Sequence, residues 1–200
     1  MNYGQTSSIV LEDGNEVNGI RVNAKKKTAV IRFPTAKEQD DYHLAKYSKQ
    51  AKAQDDDDAD LLDDLDLFKK LRLDQGEDFD EFEANYIIRN LLAVGVLGSS
   101  ESGEELIVTL RSQFGLHTHT LRQPSFKEMT MFERAVQKAR VGKGTFAHVH
   151  KLYNALMTKT DGYPNTFTDD DIPGGHKSLC VTEVQNAHYK LDPIQIDPNA

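Results

Sequence analysis

At 200 residues, with 38% apolar and 28% charged side chains, the chain can bury one core or two small ones and is more polar than a compact enzyme of this size. Its net charge of -8 repels phosphate backbones and anionic lipid, so no nucleic-acid or membrane partner is expected. The single cysteine, Cys180, excludes an internal disulfide, no stretch reaches the roughly 18 apolar residues of a membrane span, and Met1-Asn-Tyr-Gly-Gln lacks the basic and apolar start of a signal peptide, which together point to the cytosol.

Along the chain, Val17 to Val22 and Thr28 to Phe33 read as two strands around the basic turn Asn23-Ala-Lys-Lys-Lys27. A polar helix follows Pro34, its stripe kept by Tyr42 and Ala45. The acidic run from Asp55 to Asp66 carries most of the imbalance: residues 1–100 hold 13 basic and 20 acidic side chains, and residues 101–200 hold 11 and 12. It reads as a solvated linker over about residues 50–60. Leu61, Leu65, Phe68 and Leu71 then form a helical stripe, followed by Phe79, Phe82, Tyr86, Leu91 and Val94 on a further helix. Gly98-Ser-Ser-Glu-Ser-Gly103 reads as a joint, dividing the chain into units 1–98 and 99–200.

Beyond the joint the same order returns. Leu106 to Ser112 and His117 to Gln123 read as a hairpin around Gln113-Phe-Gly-Leu116. Met129, Phe132, Val136 and Ala139 share one helical face, and Gly142-Lys-Gly144 breaks it. Phe146, Val149, Leu152, Tyr153 and Leu156 make the next helix, and Cys180, Val184, Ala187 and Leu191 the last. The tail from Asp192, with Pro193 and Pro198, reads as extended.

This return is an internal repeat. At an offset of 90, identities fall at Thr28/Thr118, Arg32/Arg122, Pro34/Pro124, Lys37/Lys127, Glu38/Glu128 and Ala45/Ala135, and Tyr42 faces Phe132. At an offset of 85, Leu67, Phe68 and Leu71 face Leu152, Tyr153 and Leu156. Each Pro lacks an N–H and fixes its own φ, which suits the step from strand to helix. Thr35 or Ser125 follows, with Glu three residues on, so both helices should start with a capping box. The expected fold class is α+β: two tandem β-hairpin-plus-helices units, helix-dominated, with an acidic linker.

A hairpin ending in Arg-x-Pro-(Thr/Ser) before a capped helix resembles the tail assembly chaperones of tailed bacteriophages. The motif stands as Arg32-Phe-Pro-Thr35 and Arg122-Gln-Pro-Ser125. It departs from that family in occurring twice, and in placing Phe33 or Gln123 where the family motif has Glu. The resemblance implies a non-enzymatic factor without a cofactor, working in the host cytoplasm, that holds the tape-measure protein or tail-tube subunits. The residues expected to bind protein are Arg32, Pro34, Tyr42, Arg122, Pro124, Met129 and Phe132, with Met131 beside them; the alternative reading of Met129 and Phe132 is an ordinary core. Self-association is compatible with the same surfaces. A structural adaptor kept in the virion is the second reading, and an acidic nucleic-acid mimic built on Asp55 to Asp66 is another.

A small metal-dependent enzyme is the rival from a different class. His117 and His119 would share a strand face and could grip one ion, although no neighbouring carboxylate completes the set. His148 and His150 on a helix point about 200° apart and cannot share one. Asp55 to Asp58 and Asp169 to Asp171 lack calcium-loop spacing and read as solvated loops. Cys180 has no basic setting that would activate it.

Overall fold

Period-two burial builds the larger sheet. In β6 (Glu105–Ser112) Leu106, Val108 and Leu110 point inward, and in β7 (Gly115–Arg122) His117, His119 and Leu121 do. The two form an antiparallel hairpin with Leu106 opposite Leu121 and Val108 opposite His119. β5 (Val94–Ser102) flanks β6 and β8 (Met157–Asp161) flanks β7, giving an antiparallel sheet in the order β5-β6-β7-β8. The computed structural model describes residues 6–11, 16–17, 20–21, 27–50, 58–76, 78–139 and 143–190. The chain is α+β, as expected.

The strand partners differ from the sequence reading in the first half. β4 (Lys27–Arg32) pairs antiparallel with β1 (Thr6–Leu11), Thr6 lying opposite Arg32. The segment expected to pair with it instead forms a two-residue ladder of its own, β2 (Glu16–Val17) with β3 (Ile20–Arg21). The segment read as a joint is strand: β5 runs through Gly98 and across residues 98–99, and Val94 begins that strand instead of ending a helix. β5 escapes the eye because its edge position asks for few apolar side chains; all of it after Val94 is exposed.

Six helices complete the described residues: α1 (Ala36–Gln50), α2 (Asp58–Leu71), α3 (Glu81–Leu92), α4 (Phe126–Lys138), α5 (Lys143–Leu156) and α6 (Gly174–His188). α2 starts at Asp58, so the acidic run is helical from there on; residues 51–57 and the tail from Asp192 lie outside the described residues. No helix among them is long and apolar enough to cross a membrane.

Two apolar clusters hold the elements. The first gathers Ala29, Ile31 and Phe33 from β4 and its end, Leu67, Phe68 and Leu71 from α2, and Ile87, Ile88 and Leu91 from α3. Phe114, from the β6–β7 turn, joins it and meets Phe33 edge-on at 4.8 Å. The second gathers the apolar inward residues of β6 and β7, Leu106, Val108, Leu110 and Leu121, with Met129 and Phe132 of α4, Leu152, Tyr153 and Leu156 of α5, and Cys180, Val181 and Val184 of α6.

Both expected capping boxes form. The Glu38 N–H donates to Thr35 Oγ1 at 3.2 Å, and the Thr35 N–H donates to the Glu38 carboxylate at 2.9 Å. Ser125 and Glu128 exchange the same bonds at 3.3 and 2.9 Å. Asp80 and Glu83 make a further box at α3 that the sequence reading overlooked. Each of the first two Glu residues also takes a bidentate Arg: Arg32 donates to Glu38 at 2.8 and 2.7 Å, and Arg122 to Glu128 at 3.0 and 2.6 Å. Those bonds hold both carboxyls down at about 2. Glu128→Ala removes cap and clamp together and is expected to lower stability by about 1–2 kcal/mol, whereas Glu128→Gln, which retains the cap, should lose less. Urea unfolding of the two variants checks this; equal losses would assign the effect to the charge pair alone.

Candidate functional site

The residues expected to bind protein are placed as follows. Arg32 and Arg122 spend their guanidinium donors on Glu38 and Glu128 and on two helix-terminal carbonyls, Lys70 O at 3.4 Å and Ala155 O at 3.1 Å. Pro34 is buried and Pro124 half-buried at their strand-to-helix steps. The Tyr42 hydroxyl donates to Asp64, a fully buried carboxylate that also accepts from Asn85 and lies 3.6 Å from Lys46 Nζ. Met129 is 1% exposed, and Phe132 is buried beside it in the second cluster, so the core reading of that stripe is the observed one. The apolar groups that α4 leaves in solvent are Phe126, 79% exposed, and Met131.

A second exposed feature is the outer edge of β5. Among the described residues no strand pairs with it. It is nine residues long, and Leu97, beside a register shift between Val96 and Gly98, is 53% exposed. Among the described residues nothing pairs with its backbone N–H and C=O groups on that side, which is the kind of edge a further strand can join.

The buried polar chemistry lies on β7. His117 and His119 share the inward face, as spacing predicts, and both are 0% exposed. They do not converge on one point. His119 Nδ1 is 2.7 Å from the Tyr153 hydroxyl, and its Nε2 is 2.9 Å from the Tyr163 hydroxyl. Tyr163 also reaches His176 Nδ1 at 2.5 Å. His117 meets Ser112 Oγ at 2.9 Å, and its ring stacks on Tyr163 with centroids 4.4 Å apart. Among the described residues no group of three His, Cys, Asp or Glu is arranged to hold a metal ion. Both His119 nitrogens face phenols, which fill the positions where an ion would sit.

Burial decides the protonation of this network. It pushes His119 down to about 4 and His176 down to about 3, each helped by the neighbouring imidazoles, and it lowers His117 as well. Burial also raises the Tyr153 phenol. Each ring is therefore neutral and carries one proton. A neutral imidazole has one donor and one acceptor nitrogen, and a phenol donates once. Tyr153, His119, Tyr163 and His176 thus form one continuous chain of hydrogen bonds, and where the Tyr163 hydroxyl donates within it all its protons point one way, towards His176 or towards Tyr153.

Tyr163 reaches this place because of Gly162. Its φ of +88° is open to glycine, and an added Cβ would stand 2.1 Å from the Leu116 carbonyl oxygen. Sequence reasoning missed Tyr163 and His176, whose partners lie far off in the chain; Gly162 before an aromatic was the one local signal.

His176 also forms part of the wall of a cleft of about 590 Å³ between α1, the α3–β5 junction, α5 and α6. Leu92, Val94, Phe146, Val149 and Leu179 give it apolar lining, and His43 and Gln39 of α1 add polar groups. Burial lowers His43, with Lys46 adding to the effect. Beside the cleft, the Gly174 N–H donates to Asp40 at 2.8 Å, joining α1 to the start of α6, and the buried Lys177 lies 5.8 Å over the Tyr153 ring. Asp169 to Asp171, read as a loop, form one short turn of 3₁₀ helix.

Comparison with protein-family models, with curated proteins and with solved structures finds no match.

Proposed function

We propose that this chain is a non-enzymatic assembly factor that holds a client protein, built from two tandem hairpin–helix units and acting in the manner that the tail-chaperone resemblance implies. The observation that carries the reading is the open edge of β5, nine residues long with Leu97 in solvent. An extended client segment can add to such an edge through backbone bonds, with side-chain contacts setting which segment is taken. Phe126 and Met131 on α4 supply a separate apolar contact of the kind a client helix covers.

The tandem reading is supported by the two Arg–Glu–hydroxyl clusters, which stand at the same strand-to-helix step and make the same bonds. A non-catalytic role is supported by the occupation of the chemistry-bearing groups: the arginines are clamped to carboxylates, and His119 is bonded to phenols on both sides. The proposed clients are a tape-measure protein or tail-tube subunits in the host cytoplasm.

The test is co-expression of the full chain with those two phage proteins, followed by quantitative capture. Leu97→Lys places a charge on the edge strand, which blocks strand addition without touching either core. It should weaken capture by about tenfold or more, and Phe126→Ser should weaken it less. Equal capture by both variants and the parent chain would remove the strand-addition reading. Recovery of the chain from purified particles would favour the adaptor.

A further inference from the structure

The cleft beside His176 has a composition that selects a ligand. Its volume of about 590 Å³ falls in the range of small-molecule sites. Among the described residues no Asp, Glu, Lys or Arg lines it. An ionised ligand would lose its hydration there with no charged side chain in the described lining to offset the loss. Its apolar sides, with the Phe146 ring among them, suit a flat hydrocarbon body.

The polar end is more selective. His176 has its Nδ1 engaged by Tyr163, so the ring atom left for a ligand is Nε2. Whether Nε2 donates or accepts depends on which way the chain from Tyr153 runs. A carbonyl ligand could meet only a donor, and an ether or tertiary amine likewise. A hydroxyl both donates and accepts, so it completes the chain in either direction. Ser178 and Thr182, on the next turns of α6, line the same cleft; the Thr182 hydroxyl already donates to the Ser178 carbonyl at 3.1 Å and so presents an oxygen acceptor.

The geometry points to a binding site for a neutral, largely apolar hydroxyl compound of the phenol class, with its hydroxyl on His176 and its ring between Phe146 and Leu179. Binding would extend the Tyr153–His119–Tyr163–His176 chain by one member and fix its direction. This proposal does not depend on the client-binding reading.

The test uses the full chain and three probes that differ at one position: 2-naphthol, naphthalene and 2-naphthoate. The protein has no tryptophan, so naphthalene fluorescence is read without that background. The expected result is saturable one-to-one binding of 2-naphthol. Naphthalene should bind about tenfold more weakly, because the imidazole is left unpaired, and 2-naphthoate more weakly again. The side-chain nitrogen signals of His176 and His119 should both shift with 2-naphthol in heteronuclear NMR. Ser178→Phe and Thr182→Leu fill the cleft from the exposed side of α6, and each should abolish binding while circular dichroism stays unchanged. Equal affinity for naphthol and naphthalene, absence of saturation, or undiminished binding in either folded variant would overturn the assignment.

Discussion

Tyr163→Phe is expected to lower stability by about 2–5 kcal/mol, although it removes a single oxygen. That oxygen serves two buried imidazoles, His119 Nε2 at 2.9 Å and His176 Nδ1 at 2.5 Å. Losing one partner of a buried hydrogen bond leaves the other with its desolvation penalty, roughly 1–3 kcal/mol for each group stranded. The ring itself remains, so stacking on His117 is preserved and cavity formation does not enter. A double-mutant cycle separates the network from general packing. Tyr163→Phe combined with His176→Leu should cost clearly less than the sum of the two single changes, because the leucine strands no nitrogen. Urea midpoints measure all four proteins. Strict additivity would mean that the hydroxyl and the two rings are not coupled.

Acid should open the protein well above the usual carboxylate range. In the fold His119 and His176 titrate at about 4 and about 3, against an unfolded value of 6.5. Their folded values lie below their unfolded one, so in the window between them the unfolded chain holds more protons. Stability is then full above pH 6.5 and falls as pH drops towards 4. Between pH 7.5 and 5 each of the two contributes a loss of roughly 2 kcal/mol. His150, also pushed to about 4, and His117 act in the same direction. Glu38 and Glu128, held at about 2, add a second loss only below their ordinary value of 4.5. Denaturant midpoints taken from pH 8 to 4 check the sign and the window. A flat profile down to pH 5 would mean that the imidazoles reach solvent, and His176→Leu should make the upper part of the slope shallower.

The sequence made the helix starts legible, because a capping box is local: Thr35 with Glu38, and Ser125 with Glu128, carry their own geometry in four residues. The β6–β7 hairpin and the α2 and α5 stripes were legible for the same reason, since periodicity reports a buried face. What escaped were elements defined by position in the sheet. β5 and β8 are edge strands rich in Gly, Ser, Thr and Lys, and their composition matches that of a loop. β1 was overlooked because hairpin reasoning gave β4 the nearest candidate, Val17 to Val22, whereas the fold pairs it with Thr6–Leu11.

The candidate site divides along the same line. His117 and His119 were found by their spacing, and their shared face is real. Their chemistry was not readable, because it is set by Tyr153 and Tyr163, 34 and 44 residues from His119. Met129 and Phe132 show the opposite case: helical spacing marks a buried stripe, and it cannot distinguish a core from a client surface.

The guanidinium clamps bear on how the chain comes apart. Arg32 fastens the end of β4, the first turn of α1 and the last turn of α2 at one point. Arg122 does this for β7, α4 and α5. Fraying of any of the three segments around either arginine breaks bonds at that shared point. Each trio therefore tends to open as one cooperative block, and the amides of the three segments beside each arginine should exchange at a common rate.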